Sequence, residues 1–123
     1  MNFGRTIFVP SYSRKPDFDS ITSVDDTFEF DCVNCTFRIV GSFSSLCGRE
    51  FGWRYSYDPE SLKKIEEHFG MNIVGKSPDG GWTAVSECDC GDCGSRYLVY
   101  AGINEYANSA YKVTLQGFTE IIQ

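Results

Sequence analysis

The chain has 123 residues and a formal net charge of −6, with 41% hydrophobic, 23% charged and 15% aromatic residues. Such a size and composition describe one globular domain, residues 1–123, with one core, and exclude a multidomain machine and wholesale disorder. Seventeen acidic against eleven basic residues oppose phosphate backbones and anionic lipid, which select Lys and Arg, so neither nucleic acid nor membrane is expected as a direct partner.

Residues 1–26 read as a loop-rich segment with one short edge strand at Ile7 to Val9, followed by Pro10, Pro16 and many Ser and Asp. Thr36 to Val40 and Phe51 to Tyr55 are rich in the β-branched and aromatic residues that suit a pleated surface, which predicts two strands. A helix is predicted over 59–69. Asp58 supplies an N-cap, Pro59 suits the first helical position, Leu62, Ile65 and Phe69 repeat on one face, and Gly70 closes the run. Asn72 to Lys76 and Trp82 to Glu87 flank Ser77-Pro78-Asp79-Gly80-Gly81, a hairpin pattern. Arg96 to Gly102 and Ala110 to Gln116 bracket Asn104 to Ser109. In the second of these, Tyr111, Val113 and Leu115 alternate with Lys112, Thr114 and Gln116, which predicts a strand with one wet face. Gly117 marks a bulge or bend before Phe118 to Ile122. No internal repeat of solenoid period is visible. The expected fold is α+β: a mainly antiparallel β-sheet with one helix.

The opening residues lack a secretory leader pattern, no stretch approaches the roughly 18 apolar residues of a membrane span, and the last residues carry no lipidation motif. The expected location is therefore the cytoplasm, where thiols stay reduced and clustered cysteines serve as metal ligands more often than as disulfides. Six cysteines are present. Cys32-Val33-Asn34-Cys35 and Cys90-Gly91-Asp92-Cys93-Gly94 are two C-x-x-C pairs, and two such pairs make a tetrahedral four-thiolate set suited to Zn²⁺. The second pair resembles a zinc-ribbon knuckle, in which a glycine after the second Cys lets the backbone fold under the sulfur. That resemblance covers about a dozen residues and implies a structural zinc ion that stabilises the fold. Thr36 occupies the corresponding glycine position of the first pair, and 54 residues, 36–89, separate the pairs. Cys88 is an alternative ligand to Cys93, and Cys47 has no assigned role. A redox role needs a C-x-x-C that opens a helix, whereas both pairs here run into strand patterns.

Signals for catalysis are sparse. His68 is the only histidine, so no His-rich catalytic metal site can be built. Near the end of the helix, its imidazolium would be favoured by the dipole. Gly70 to Ser77 matches G-x-x-x-x-G-K-[ST] letter for letter, but a helix precedes it and Pro78-Asp79-Gly80-Gly81 follows, the reverse of a phosphate cradle.

Between Pro16 and Phe37 stand Asp17, Asp19, Asp25, Asp26, Glu29 and Asp31 with no Lys or Arg, while the rest of the chain carries eleven acids and eleven bases. The whole net charge thus sits in one segment beside Cys32, with Phe18, Phe28 and Phe30 as either anchors for a partner or core residues. Asp25, Asp26, Glu29 and Asp31 are the candidate recognition surface for a basic protein. The expected function is a non-enzymatic, zinc-stabilised binding module, for example an acidic immunity or inhibitor protein that covers the cationic groove of a toxin or nuclease domain. A zinc-ribbon adaptor of a nucleic-acid machine and a small thiol enzyme using Cys47 or Cys88 are the alternatives.

Overall fold

The computed structural model describes residues 1–8, 15–50, 52–71 and 81–122. Its elements are β1 (Asn2–Phe8), β2 (Phe18–Asp19), β3 (Thr27–Asp31), β4 (Arg38–Ser42), α1 (Pro59–Phe69), β5 (Trp82–Asp89), β6 (Arg96–Ala107) and β7 (Ala110–Ile122), with 3-10 turns at Phe43–Ser45 and Trp53–Ser56. Among the described residues this is a mostly antiparallel β architecture with one helix. The larger sheet has the order β1-β7-β6-β5, and β2 adds to β7 at Val113 and Lys112. β3 and β4 form a separate two-stranded hairpin, with Phe28 opposite Gly41 and Phe30 opposite Ile39.

The helix follows its sequence signals residue by residue. Asp58 accepts a hydrogen bond from the Ser61 N–H, Pro59 is the first helical residue, and Gly70 closes the helix at φ 65°. Ile65 is fully buried, and Leu62 and Phe69 pack around it with Trp53, Val85, Leu98 and Tyr100.

Successive residues of β6 serve opposite faces of the sheet, as strand geometry requires. Leu98 and Tyr100 meet the helix side, whereas Tyr97, Val99, Ala101 and Ile103 belong to a second cluster with Phe28, Phe30 and Ile39 of the hairpin. On β7 the alternation is interrupted, because Gly117 pairs with Tyr100 but Leu115 pairs with Ala101, leaving Gln116 as the extra residue of a bulge. That insertion flips the parity, so Phe118 on one side of it and Leu115 and Val113 on the other enter the same cluster.

Several expectations need correction. Trp53 to Tyr55 is not a strand but part of a 3-10 turn. There the fully buried Trp53 donates its indole N–H to the Thr83 carbonyl at 3.1 Å, and Arg49 Nε donates to the Val85 carbonyl at 3.0 Å. Both acceptors lie on β5, the last strand of the sheet, so the aromatic residue caps a sheet edge that would otherwise be open. Thr36 and Phe37 belong to a turn, and the strand starts only at Arg38. β1 runs from Asn2, longer than an Ile7 to Val9 strand. Its register comes from pairing with the end of β7, a long-range contact that polar residues such as Asn2 and Thr6 do not announce. The wet face expected of β7 is absent, since Thr114 and Gln116 are buried. Its hairpin with β6 turns within Asn108 and Ser109, tighter than a loop over 104–109, and Ser109 takes φ 62°. The Asn72 to Lys76 strand and most of the Gly70 to Ser77 motif lie outside the described residues.

Candidate metal centre

Each C-x-x-C pair sits at the tip of a β-hairpin. The last cross-strand pairs are Asp31 with Arg38 and Asp89 with Arg96. Beyond them the Cys32 N–H donates to the Phe37 carbonyl at 2.9 Å and the Thr36 N–H to the Cys32 carbonyl at 3.0 Å. In the second hairpin the Cys90 N–H donates to the Ser95 carbonyl at 2.7 Å and the Gly94 N–H to the Cys90 carbonyl at 3.0 Å. Thr36 and Gly94 both lie in the left-handed region, at φ 63° and 76°. The two tips are therefore the same knuckle, and the first forms with a β-branched residue where glycine is expected.

The hairpins meet tip to tip. Cys32 Sγ lies 3.7 Å from Cys93 Sγ, Cys35 Sγ lies 3.5 Å from Cys90 Sγ, and all four sulfurs fall within 4.8 Å of one another. A tetrahedral zinc ion with Zn–S bonds of about 2.3 Å would space its ligands by about 3.8 Å. The chemistry of the four positions fits a metal, since two soft ligands come from each of two chain segments and converge on one point.

The surroundings favour anionic sulfur. Tyr97, almost fully buried, accepts the Val33 N–H at 2.9 Å and donates its hydroxyl to Cys32 Sγ at 3.2 Å. Ser95 Oγ lies 3.0 Å from Cys93 Sγ. Burial works against ionisation of Cys32, but the Tyr97 hydroxyl and the N–H groups of Asn34 and Cys35 outweigh it and lower the thiol to about 6. The Phe37 N–H favours the Cys35 thiolate, yet burial and the sulfurs of Cys90, Cys93 and Cys32 push that thiol up to about 12. The contrast has a simple cause: like charges this close cannot all form unless a cation stands between them.

Cys88 and Cys47 lie outside the four-sulfur cluster. Cys88 faces Tyr97 across the β5–β6 ladder, and burial, with Asp89 and Glu87 nearby, pushes its thiol up to about 12. Burial and the charges of Glu50 and Asp26 raise Cys47 to about 11. Neither environment activates a nucleophile. His68 also departs from expectation: its Nε2 lies 2.9 Å from the hydroxyls of both Thr6 and Thr119, and burial lowers its pKa rather than favouring the imidazolium.

A short repeat escaped the sequence reading. Glu29-x-Asp31-Cys32-x-x-Cys35-x-x-Arg38 recurs 58 residues later as Glu87-x-Asp89-Cys90-x-x-Cys93-x-x-Arg96. In both copies the arginine pairs with the glutamate, Arg38 with Glu29 at 2.8 Å and Arg96 with Glu87 at 2.6 Å. The identical spacing was visible in the letters. Its meaning was not, because a ten-residue repeat is far shorter than a solenoid unit and registers only once each copy is seen to form a hairpin.

The acidic segment is more committed to local structure than its charge suggests. Asp25 accepts from the N–H and hydroxyl of Thr27 at 3.1 and 2.8 Å. Asp26 accepts from the Ser42 hydroxyl at 2.5 Å and the Ser44 N–H at 3.0 Å; burial opposes ionisation, but these donors hold its carboxyl below the usual range. Glu29 and Asp31 share Arg38 on the exposed face of the hairpin. Phe18, Phe28 and Phe30 are core residues, not surface anchors. Phe28 also explains Gly41, because its ring occupies the space a Cβ there would need. The large apolar side chains this segment does expose are Ile21 and Val24.

Among the described residues no helix is long and apolar enough to cross a membrane. Comparison of the chain with protein-family models, with curated proteins and with solved structures gives no match.

Proposed function

We propose that the protein is a non-enzymatic binding module whose hairpin β3–β4 is locked to the main sheet by one structural Zn²⁺ on Cys32, Cys35, Cys90 and Cys93. The observation that carries this reading is the convergence of four sulfurs from two matching knuckles 58 residues apart in the chain. A structural site is favoured over a catalytic one because four protein ligands fill a tetrahedron and leave no position for substrate. Purified protein should carry about one zinc per chain by elemental analysis and native mass spectrometry. A folded, metal-free protein with unchanged stability would overturn the reading, as would a pair of disulfides in material kept reduced.

The binding role is proposed for the face formed by residues 20–31, with a cationic protein as partner. It is supported by the four acids of this segment, Asp25, Asp26, Glu29 and Asp31, of which Arg38 pairs with the last two, and by exposed Ile21 and Val24 beside Asp25. Charge of this kind speeds encounter, while the apolar pair supplies burial. An inhibitor of a basic toxin or nuclease domain fits this surface better than a nucleic-acid adaptor does, since the face would repel a phosphate backbone. Glu29→Lys and Val24→Ser should separate the two contributions: the first slows association and flattens its salt dependence, the second speeds dissociation. If both variants bind the partner recovered by wild type with unchanged rates, the face has no part in recognition.

A further inference from the structure

A second site, independent of the metal, lies where the loop after β4 and the Trp53–Ser56 turn meet the open side of β5. A surface cavity of about 360 Å³ is lined there by Ser45, Arg49, Ser56, Tyr57, Ser86 and Glu87. Among the described residues no apolar aliphatic side chain contributes to its wall. We propose that this cavity binds a small monoanionic carboxylate that also carries a hydroxyl group.

The donor inventory leads to this ligand. Arg49 is held rigid by two hydrogen bonds, Nε to the Val85 carbonyl at 3.0 Å and Nη2 to Ser56 Oγ at 3.4 Å. Its guanidinium has no carboxylate partner among the described residues, and Nη1 remains open. Arg38, Arg54 and Arg96 each have one, Glu29, Glu66 and Glu87 respectively, whereas Arg5 on β1 donates to the Val33 carbonyl instead. Ser56 accepts from Arg49, which leaves its own hydroxyl proton to donate. Ser86 is 7% exposed and its Oγ lies 3.5 Å from Ser45 Oγ, whose proton is used on the Ser42 carbonyl at 2.6 Å. The Ser56 hydroxyl and one guanidinium edge therefore face the cavity without an acceptor among the described residues, and the Ser86 hydroxyl is held only by the long 3.5 Å contact with Ser45 Oγ.

Among the described residues Glu87 is the one negative group in the wall, and both its oxygens are occupied, Oε2 by the Tyr57 hydroxyl at 2.8 Å and Oε1 by Arg96 at 2.6 Å. It is compensated rather than available to pair with Arg49. It still repels additional negative charge, so one guanidinium beside one compensated carboxylate suits a single charge, not the dianion of a phosphate ester. The forked geometry of arginine matches a carboxylate through two parallel N–H donors. The volume lies at the lower end of ligand sites, which fits a molecule the size of a hydroxy acid.

Titration of the ¹⁵N-labelled full chain with glycolate, acetate and inorganic phosphate at matched ionic strength, followed by amide NMR, tests the proposal. Glycolate should give saturable shifts confined to Ser45, Arg49, Ser56, Ser86 and their neighbours, with dissociation on the order of millimolar. Acetate should bind several-fold more weakly, having no hydroxyl, and phosphate more weakly still. Arg49→Lys should weaken glycolate by about tenfold, because an ammonium cannot form the paired contact. Ser86→Ala, which leaves the Arg49 bond to β5 in place, should weaken it several-fold and guards against a misfolded Arg49 variant. Phosphate binding more tightly than glycolate would overturn the monoanion assignment. Unsaturable shifts, shifts spread over Lys63, Lys64 and Lys112, or wild-type affinity in both variants would overturn the site.

Discussion

The two knuckles share one backbone but occupy different surroundings. Cys32 and Cys90 are equally buried, but only Cys32 accepts from the Tyr97 hydroxyl, and the first knuckle forces Thr36 to φ 63° where the second places Gly94 at φ 76°, with Cys93 exposed and Cys35 half-buried. A β-branched residue in the left-handed region costs roughly 1–2 kcal/mol. The first knuckle is thus the strained member of the pair, and the contacts around Cys32 and Tyr97 hold it in shape. The comparison teaches that the C-x-x-C spacing and the flanking hairpin specify the knuckle, while glycine only makes it easier to form.

The largest test removes the metal. In zinc-finger peptides zinc binding is worth about 10 to 16 kcal/mol and is coupled to folding, so chelation should release the β3–β4 hairpin, seen as loss of hydrogen-exchange protection over 27–42. Cys32→Ser should do the same at normal zinc concentration. Cys93→Ser should be milder, because water can replace an exposed ligand but not a buried one. Equal damage from the two substitutions would show that burial of the ligand does not set its weight in the site.

Next in size is Tyr97→Phe, which deletes both the Val33 contact and the donor to Cys32 while keeping the ring. A hydrogen bond to a charged group is worth about 1.5–3 kcal/mol, and the loss should appear as faster zinc transfer to a chromophoric chelator. Ser95→Ala, which deletes the hydroxyl beside exposed Cys93, should change that rate less.

Thr36→Gly should stabilise the protein by up to about 1 kcal/mol, since relief of strain exceeds the added freedom of the unfolded chain. Gly94→Thr should destabilise it by about the same amount purely through backbone strain, as a Cβ at Gly94 meets nothing within 4 Å. Opposite shifts of the thermal midpoint would sharpen the comparison, and shifts of the same sign would break it. Smallest are the repeated ion pairs: Arg38→Ala and Arg96→Ala remove exposed contacts that water screens, and thermal melts of both should overlay the wild type.

Local chemistry was legible in the sequence. The helix over 59–69 followed from Asp58, Pro59, Gly70 and the Leu62, Ile65, Phe69 stripe, because capping and periodicity act within a few residues. The two C-x-x-C pairs were legible for the same reason, since the spacing alone turns two sulfurs to one side. Contacts distant in the chain were not. Composition could not say whether Trp53 to Tyr55 would pair as a strand or turn back to cap β5. The bulge at Gln116 decided which face of β7 is buried, and nothing in the alternation from Tyr111 to Gln116 encodes the strands on either side of it. The selection of Cys93 over Cys88 was likewise tertiary: Cys88 and Cys90 lie on the same strand or at its end, and only the tip of the hairpin carries Cys90 and Cys93 to Cys32 and Cys35. Sequence by itself determined which segments could be helix, strand and knuckle, through interactions that span a few residues. The tertiary structure alone decided which of them meet, because register and sulfur convergence depend on packing between segments that the chain holds tens of residues apart.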